Sequence, residues 1–244
     1  MTDFHVTRQG RRLAFDRLAG QGPGVVFLHG FRSDRSGTKA LDLEAWCRAT
    51  GRAMLRVDLS GHGESAGRVE DSGIGDWLED AADAIDAVTT GPQVLVGSSL
   101  GGWLALLLAR TMPDRWSGLV TIAAAPDFTT RMQRDFSAAD RAALAGQGVV
   151  TRPSDYGEDY VFARRLFEQG AENSVFGAPL HLPMPVRFMQ GTADADVPLS
   201  DALQLLDHAK GPDIRLILVK DADHRFSGPA ELALIRDQVA ELAR

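Results

Sequence analysis

The chain has 244 residues, of which 44% are hydrophobic and 24% charged; this suits one large domain with a sizeable core and excludes a disordered tail or a disulfide-stapled miniature. A formal net charge of -7 opposes sequence-independent attachment to phosphate backbones, so no nucleic-acid partner is expected. The single cysteine, Cys47, cannot close an internal disulfide and suits a reducing compartment; its helical, apolar setting reads as burial.

The first residues, Met1 to Arg8, lack an apolar signal core, and no stretch approaches about 18 uninterrupted apolar residues, so a cytoplasmic location without a membrane span is expected. Residues 12–18 alternate apolar and polar, as a half-exposed edge strand would, while Val25-Val-Phe-Leu28 reads as a buried central strand ending at His29-Gly30. A helix is predicted over 38–50 and a strand over 53–58, ending in the turn Ser60-Gly-His-Gly-Glu-Ser65.

Trp77, Leu78, Ala81, Ala82, Ile85 and Val88 recur at spacings of three and four, which predicts an amphipathic helix over 74–88, stopped by Gly91-Pro92. A buried strand over 93–97, an almost wholly apolar helix over 100–110 and a strand from Gly118 follow. From 126 to 182 the rhythm breaks into short helical pieces, scattered aromatics and Pro/Gly turns, too long for a simple connection. This predicts a cap at 126–182 inserted into a core domain of 1–125 and 183–244. Alternation then resumes with a strand over 185–190, a helix over 200–209, a strand over 214–219 and a helix over 229–242. Short apolar runs alternating with helical patterns give an α/β fold with a mainly parallel sheet flanked by helices.

Gly97-Ser-Ser99-Leu-Gly101 is a G-x-S-x-G pentapeptide entered by a buried strand and left by a buried helix, the context of a nucleophile elbow. Strand and helix approach so closely at such a turn that the flanking positions cannot carry side chains, and glycine stands at both. Ser98 has Val96 two residues before it and fails that test. A serine hydroxyl needs an adjacent base, usually a histidine oriented by a carboxylate.

In the chain order Ser, Asp/Glu, His the base lies late, which leaves His208 and His224; His208 falls within a helix, whereas His224 follows a strand end, where ligands gather in open α/β sheets. Asp194 is favoured as the orienting acid over Asp196, which reads as a turn or helix cap; Asp221 and Asp223 are close to His224 only in sequence. An oxyanion needs two preorganised N–H donors: Leu100, at the positive end of its helix, and Phe31, in the loop after the 25–28 strand. His29 and His62 read as architectural. No His/Cys cluster offers a metal site, and no metal or organic cofactor is expected.

Together, His29-Gly-Phe31, Asp58-Leu-Ser-Gly-His-Gly-Glu-Ser65, Gly97-Ser-Ser-Leu-Gly-Gly-Trp103, Gly191-Thr-Ala-Asp-Ala-Asp-Val-Pro198 and Asp223-His-Arg-Phe-Ser227 resemble the α/β-hydrolase fold superfamily over nearly the whole chain. Within it, the serine and histidine motifs are similar to those of the mitochondrial palmitoyl-protein thioesterase and acyl-glucuronide esterase group and its bacterial relatives. The resemblance implies Ser99 as nucleophile, Asp194 as acid and His224 as base. It implies hydrolysis of an acyl ester or thioester, carried by a small molecule or a protein. A lactonase, C–C hydrolase or aminopeptidase on the same fold, or a non-catalytic ligand-binding relative, would share most of these motifs.

In the expected cap, Phe128, Phe136, Tyr156, Tyr160, Phe162, Phe167 and Phe176 supply apolar surface for an acyl pocket and for the cap's own core. Arg131, Arg134, Arg152, Arg164 and Arg165 could receive an anionic substrate, but read better as solvated helix faces.

Overall fold

The computed structural model describes residues 2–153 and 159–244; Tyr156 lies outside them. The strands of its main sheet are β1 (Asp3–Val6), β2 (Arg12–Leu18), β3 (Gln21–Leu28), β4 (Arg52–Val57), β5 (Gln93–Ser98), β6 (Trp116–Ile122), and later β10 (Val186–Gly191) and β12 (Ile214–Val219). Their spatial order is β1-β2-β4-β3-β5-β6-β10-β12. Only β2 runs against its neighbours. The 12–18 strand is therefore not the edge strand expected from its alternation: β1 pairs along it from Asp3 opposite Phe15 to Val6 opposite Arg12.

Strand periodicity separates two apolar layers. Val26, Leu28, Leu55, Leu95, Leu119 and Phe188 face one side, against α2 (Ile74–Val88), α3 (Leu100–Thr111) and α7 (Leu199–His208). Val25, Phe27, Val94, Val96, Val120 and Met189 face the other, against α1 (Thr38–Thr50) and α8 (Pro229–Leu242). Cys47 is fully buried in that second layer. Helix α3 has every residue from Leu100 to Ala109 buried, as a helix apolar all round must.

Between β6 and β10 the chain leaves the sheet and forms α4 (Phe128–Arg134), α5 (Ala138–Gln147), the antiparallel pair β7 (Val149–Arg152) and β8 (Tyr160–Ala163), α6 (Arg164–Glu172), and β9 (Leu180–His181), which pairs with β11 (Ala209–Lys210). Helix α6 buries Leu166, Phe167 and Gly170 and is strapped to the body. Gln169 Oε1 accepts the N–H groups of Gly75 and Asp76 in the first turn of α2, supplying from another element the acceptor a helix start needs. Arg165 forks onto both oxygens of Asp76 at 2.7 Å, and the Trp103 indole N–H donates to the Asn173 carbonyl.

Candidate active site

Strand β5 delivers the chain to Ser99, which turns at φ 54°, ψ -115° into α3. A β-carbon at Gly97 would lie 2.2 Å from the Gly101 carbonyl oxygen, and one at Gly101 would lie 2.1 Å from that of Leu28. Both glycines are thus sterically required, which is why the pentapeptide spacing encodes the turn. The strained serine is fixed from both sides: its N–H donates to Ile122, and its carbonyl accepts from Gly102, Trp103 and Ala125.

Residues from three loops meet at the C-terminal ends of β5, β10 and β12. Ser99 Oγ lies 3.1 Å from His224 Nε2, and His224 Nδ1 lies 2.9 and 3.1 Å from the two Asp194 oxygens. The Asp194 side chain is fully buried. Burial alone would push its carboxyl up; the His224 hydrogen bond, the Val197 N–H, the His224 charge and the Gln190 amide together outweigh it and hold Asp194 below the ordinary carboxylate range. An ionised Asp194 can only accept, so His224 Nδ1 carries the proton and Nε2 is left to accept from the serine.

Asp196 sits beside this group as an exposed residue whose N–H donates to Asp194 Oδ1 at 2.9 Å, and the Val197 N–H joins it at 2.8 Å. Asp194, Asp196 and His224 bring potential ligand atoms within 4.8 Å. The Asp194 oxygens already serve four N–H donors, with which a cation would have to compete. His208 ends α7 and bonds the Val175 and Ala178 carbonyls, away from the site. Asp221 and Asp223 shape the loop before His224, through Thr192 Oγ1 and the Phe226 N–H.

A cavity of about 620 Å³ opens over Ser99 and His224, lined also by Phe31 and Leu100. Among the described residues, neither the Phe31 nor the Leu100 N–H donates to another protein group. Leu100 is the first residue of α3, where N–H groups have no intrahelical acceptor. The Gly30–Phe31 peptide is trans, so its N–H points opposite to the Gly30 carbonyl. That carbonyl is turned toward His29 Nδ1 (2.8 Å) and the Ser33 N–H (3.1 Å).

His29 also accepts the Leu59 N–H at Nε2; burial pushes its pKa down to about 4, keeping the ring neutral. His62 packs between the His29 and Trp77 rings and does not line the cavity. Burial, reinforced by the neighbouring His29, pushes its pKa down to about 3.

Of the aromatics in 126–182, Phe128, Tyr160 and Phe162 line the cavity. Phe136 and Phe167 are buried against one another, and Phe176 packs on His208. Arg131 and Arg152 reach the cavity wall, each engaged with an aspartate, Asp201 and Asp140. Arg164 bonds the last carbonyls of α5 and Arg165 binds Asp76.

Two residues near the triad of groups carry no motif. Gln190, buried in β10, donates to Asp194 Oδ2 at 2.9 Å; an amide near the C-terminal end of a strand that also holds Arg187 was its only sequence signal. Lys39 donates to the Arg225 carbonyl, next to His224; burial pushes its pKa down to about 8, against the attraction of Asp223.

The chain belongs to the Hydrolase_4 family, described as serine aminopeptidase, S33, which matches residues 23–153, and its fold is that of the α/β hydrolases. It is 35% identical to the mitochondrial palmitoyl-protein thioesterase ABHD10 of Bos taurus over 225 residues, 91% of this chain and 74% of that protein. A solved putative hydrolase from Agrobacterium vitis S4 is similar with a TM-score of 0.96 and 36% identity, covering 100% of this chain and 99% of the other. The α/β hydrolase domain-containing protein 10 of mouse is similar with a TM-score of 0.92 and 32% identity, covering 99% and 98%. The chain is thus a hydrolase related to a thioesterase, and no helix among its described residues is long and apolar enough to cross a membrane.

Proposed function

We propose that the protein is a serine hydrolase that cleaves carboxylic esters or thioesters through an acyl-enzyme. The observation that carries this is the continuous chain Ser99 Oγ, His224 Nε2, His224 Nδ1, Asp194, with contacts of 3.1 and 2.9 Å. His224 takes the serine proton as Oγ attacks the acyl carbonyl, and Asp194 holds the tautomer and stabilises the imidazolium. The tetrahedral oxyanion is received by the N–H groups of Phe31 and Leu100, where losing one donor costs about 10²–10³ in kcat. The alkoxide or thiolate leaves with the proton returned by His224, and water, activated by the same imidazole, clears the acyl group.

Residues 126–182 act as a cap over the core of 1–125 and 183–244, with Phe128, Met132, Tyr160 and Phe162 forming the wall that receives the acyl chain. The lone, buried cysteine fits a reducing compartment, and the relative of Bos taurus is named as mitochondrial. Similarity to relatives named palmitoyl-protein thioesterases supports a long acyl thioester as the substrate of this chain. A panel of short and long p-nitrophenyl esters, acyl thioesters and aminoacyl amides tests this, with fluorophosphonate labelling of wild type and Ser99→Ala. Ester and thioester turnover and labelling, both lost in Ser99→Ala, are expected. Amide cleavage alone would replace the reading with an aminopeptidase, and full turnover by Ser99→Ala would overturn the mechanism.

A further inference from the structure

The loop that carries Phe31 is held at both ends by two adjacent residues after β4. At its start, the Leu59 N–H donates to His29 Nε2 at 3.2 Å. At its end, Asp58 Oδ1 accepts the Arg35 N–H at 2.6 Å, and Asp58 Oδ2 pairs with Arg35 Nη1. The Asp58 and Arg35 side chains are 0% and 5% exposed. The remaining guanidinium donors are also used: Nε on Asp16 at 2.9 Å and Nη2 on Glu64 at 2.6 Å and on Thr2 Oγ1 at 2.8 Å. The Arg35 carbonyl in turn accepts from Arg56.

The turn 61–64 is shaped around this pair. Gly63 has φ +50°, and a β-carbon there would lie 2.1 Å from Asp58 Oδ2; the Glu64 N–H donates to that same oxygen at 2.9 Å. A buried ion pair is weak evidence for stability, because desolvating both charges offsets their attraction. Its geometry is directional, however: a planar fork on three carboxylates, one from β2 and two from the connection after β4, fixes position as a flexible ammonium cannot.

We propose that Arg35, through Asp58, is a positioning residue for the oxyanion-binding N–H of Phe31. With His29 anchored on Leu59 and Arg35 on Asp58, one peptide unit of the β4 turn sets the span of the loop from 29 to 35. The N–H in the middle of that loop is thereby presented beside Ser99, whose β-carbon lies 3.3 Å from where a Gly30 side chain would begin. This inference rests on the serine-hydrolase reading.

The test compares wild type, Arg35→Lys and Arg187→Lys. Arg187 is 1% exposed and paired with Asp213 and Glu241, a buried ion pair near the opposite, N-terminal end of β10. Three quantities are measured below each melting temperature: kcat and KM on a short p-nitrophenyl ester, affinity for a trifluoromethyl ketone that forms a tetrahedral oxyanion adduct, and affinity for the neutral ether analogue of the ester.

Arg35→Lys is expected to lose about 10- to 100-fold in kcat, as for displacements of about 1 Å, and a similar factor in ketone affinity, with KM and ether affinity unchanged. Arg187→Lys is expected to lose melting temperature alone. If Arg35→Lys does not fold, Glu64→Gln removes an exposed partner of Arg35 and is expected to show the same pattern at about threefold. Wild-type kcat and ketone affinity in the folded variant, or equal losses for ketone and ether, would overturn the proposal. Failure of wild type to label with fluorophosphonate at Ser99 would instead remove the reading beneath it.

Discussion

Replacing Gly101 by alanine puts a methyl carbon 2.1 Å from the carbonyl oxygen of Leu28 and 2.6 Å from that of His29. Both obstacles are backbone atoms, so no side chain can swing aside. The contact falls about 0.9 Å inside the 3.0 Å limit for real β-carbons, and the first turn of α3 must lift from β3 by about that distance. This displaces Ser99 and the Leu100 N–H together. Overpacking of this kind costs about 1–3 kcal/mol, which for a chain of this size is a drop of roughly 2–12 °C in melting temperature. A shift of about 1 Å at reacting atoms costs about 100-fold in rate. Steady-state kinetics on a p-nitrophenyl ester, with calorimetry, reads both. Gly146→Ala is the control: nothing lies within 4 Å of its new methyl, and in the last turn of α5 it gains at most part of the about 1 kcal/mol by which alanine exceeds glycine inside a helix. A Gly101→Ala protein with wild-type kcat and melting temperature would refute the steric account of the elbow.

Asp194→Asn removes the acceptor that holds the His224 tautomer and is expected to lower kcat by about 10⁴ with little change in KM; a loss below tenfold would contradict the assigned role. His29 and His62 are both held neutral, at about 4 and about 3, so between pH 6.5 and 4 the unfolded chain binds more protons than the folded one. Their stability contribution is complete above about pH 6.5 and is lost as pH falls toward the folded values, by roughly 3 kcal/mol for His29 and roughly 5 kcal/mol for His62, of which about 3 falls above pH 4. Urea unfolding of wild type should weaken steadily over that range, and His62→Gln should do so about half as steeply. Burial pushes the Cys47 thiol up to about 12, so iodoacetamide at pH 8 should leave the native protein unmodified by mass and label it in urea; native labelling would show that the α1 layer opens.

The helices over 38–50, 74–88 and 229–242 coincide residue for residue with α1, α2 and α8, because each combines a helical apolar stripe with a glycine or proline at a boundary. Strand β1 was not legible: its four residues Asp3–Val6 are largely exposed and gain their structure from pairing with β2. That unseen partner is also why β2 read as an edge. The turn at Ser99 was legible since its glycine spacing answers a local steric demand. The meeting of Asp194 with His224 was legible only through chain order and strand ends. By contrast, Arg35 and Asp58 are 23 residues apart, and Gln190 reaches Asp194 from inside a strand; neither pairing leaves a periodic trace. The described aromatics of 126–182 divide by where the fold puts them, Phe128 at the start of α4 and Tyr160 and Phe162 on β8 facing the cavity, Phe136, Phe167 and Phe176 packed elsewhere, which composition alone does not record.

The way Gln169 and Arg165 engage the start of α2 bears on how this scaffold can be diversified. Exchanging residues 126–182 for a foreign lid would strip a body helix of the groups that terminate it, and would leave Asp76 facing a vacated partner. A transplanted lid must therefore bring its own amide and guanidinium to that spot, or the recipient must be given a self-sufficient start to α2. Swaps confined to α5, β7 and β8 avoid this debt and are the natural place to graft new selectivity.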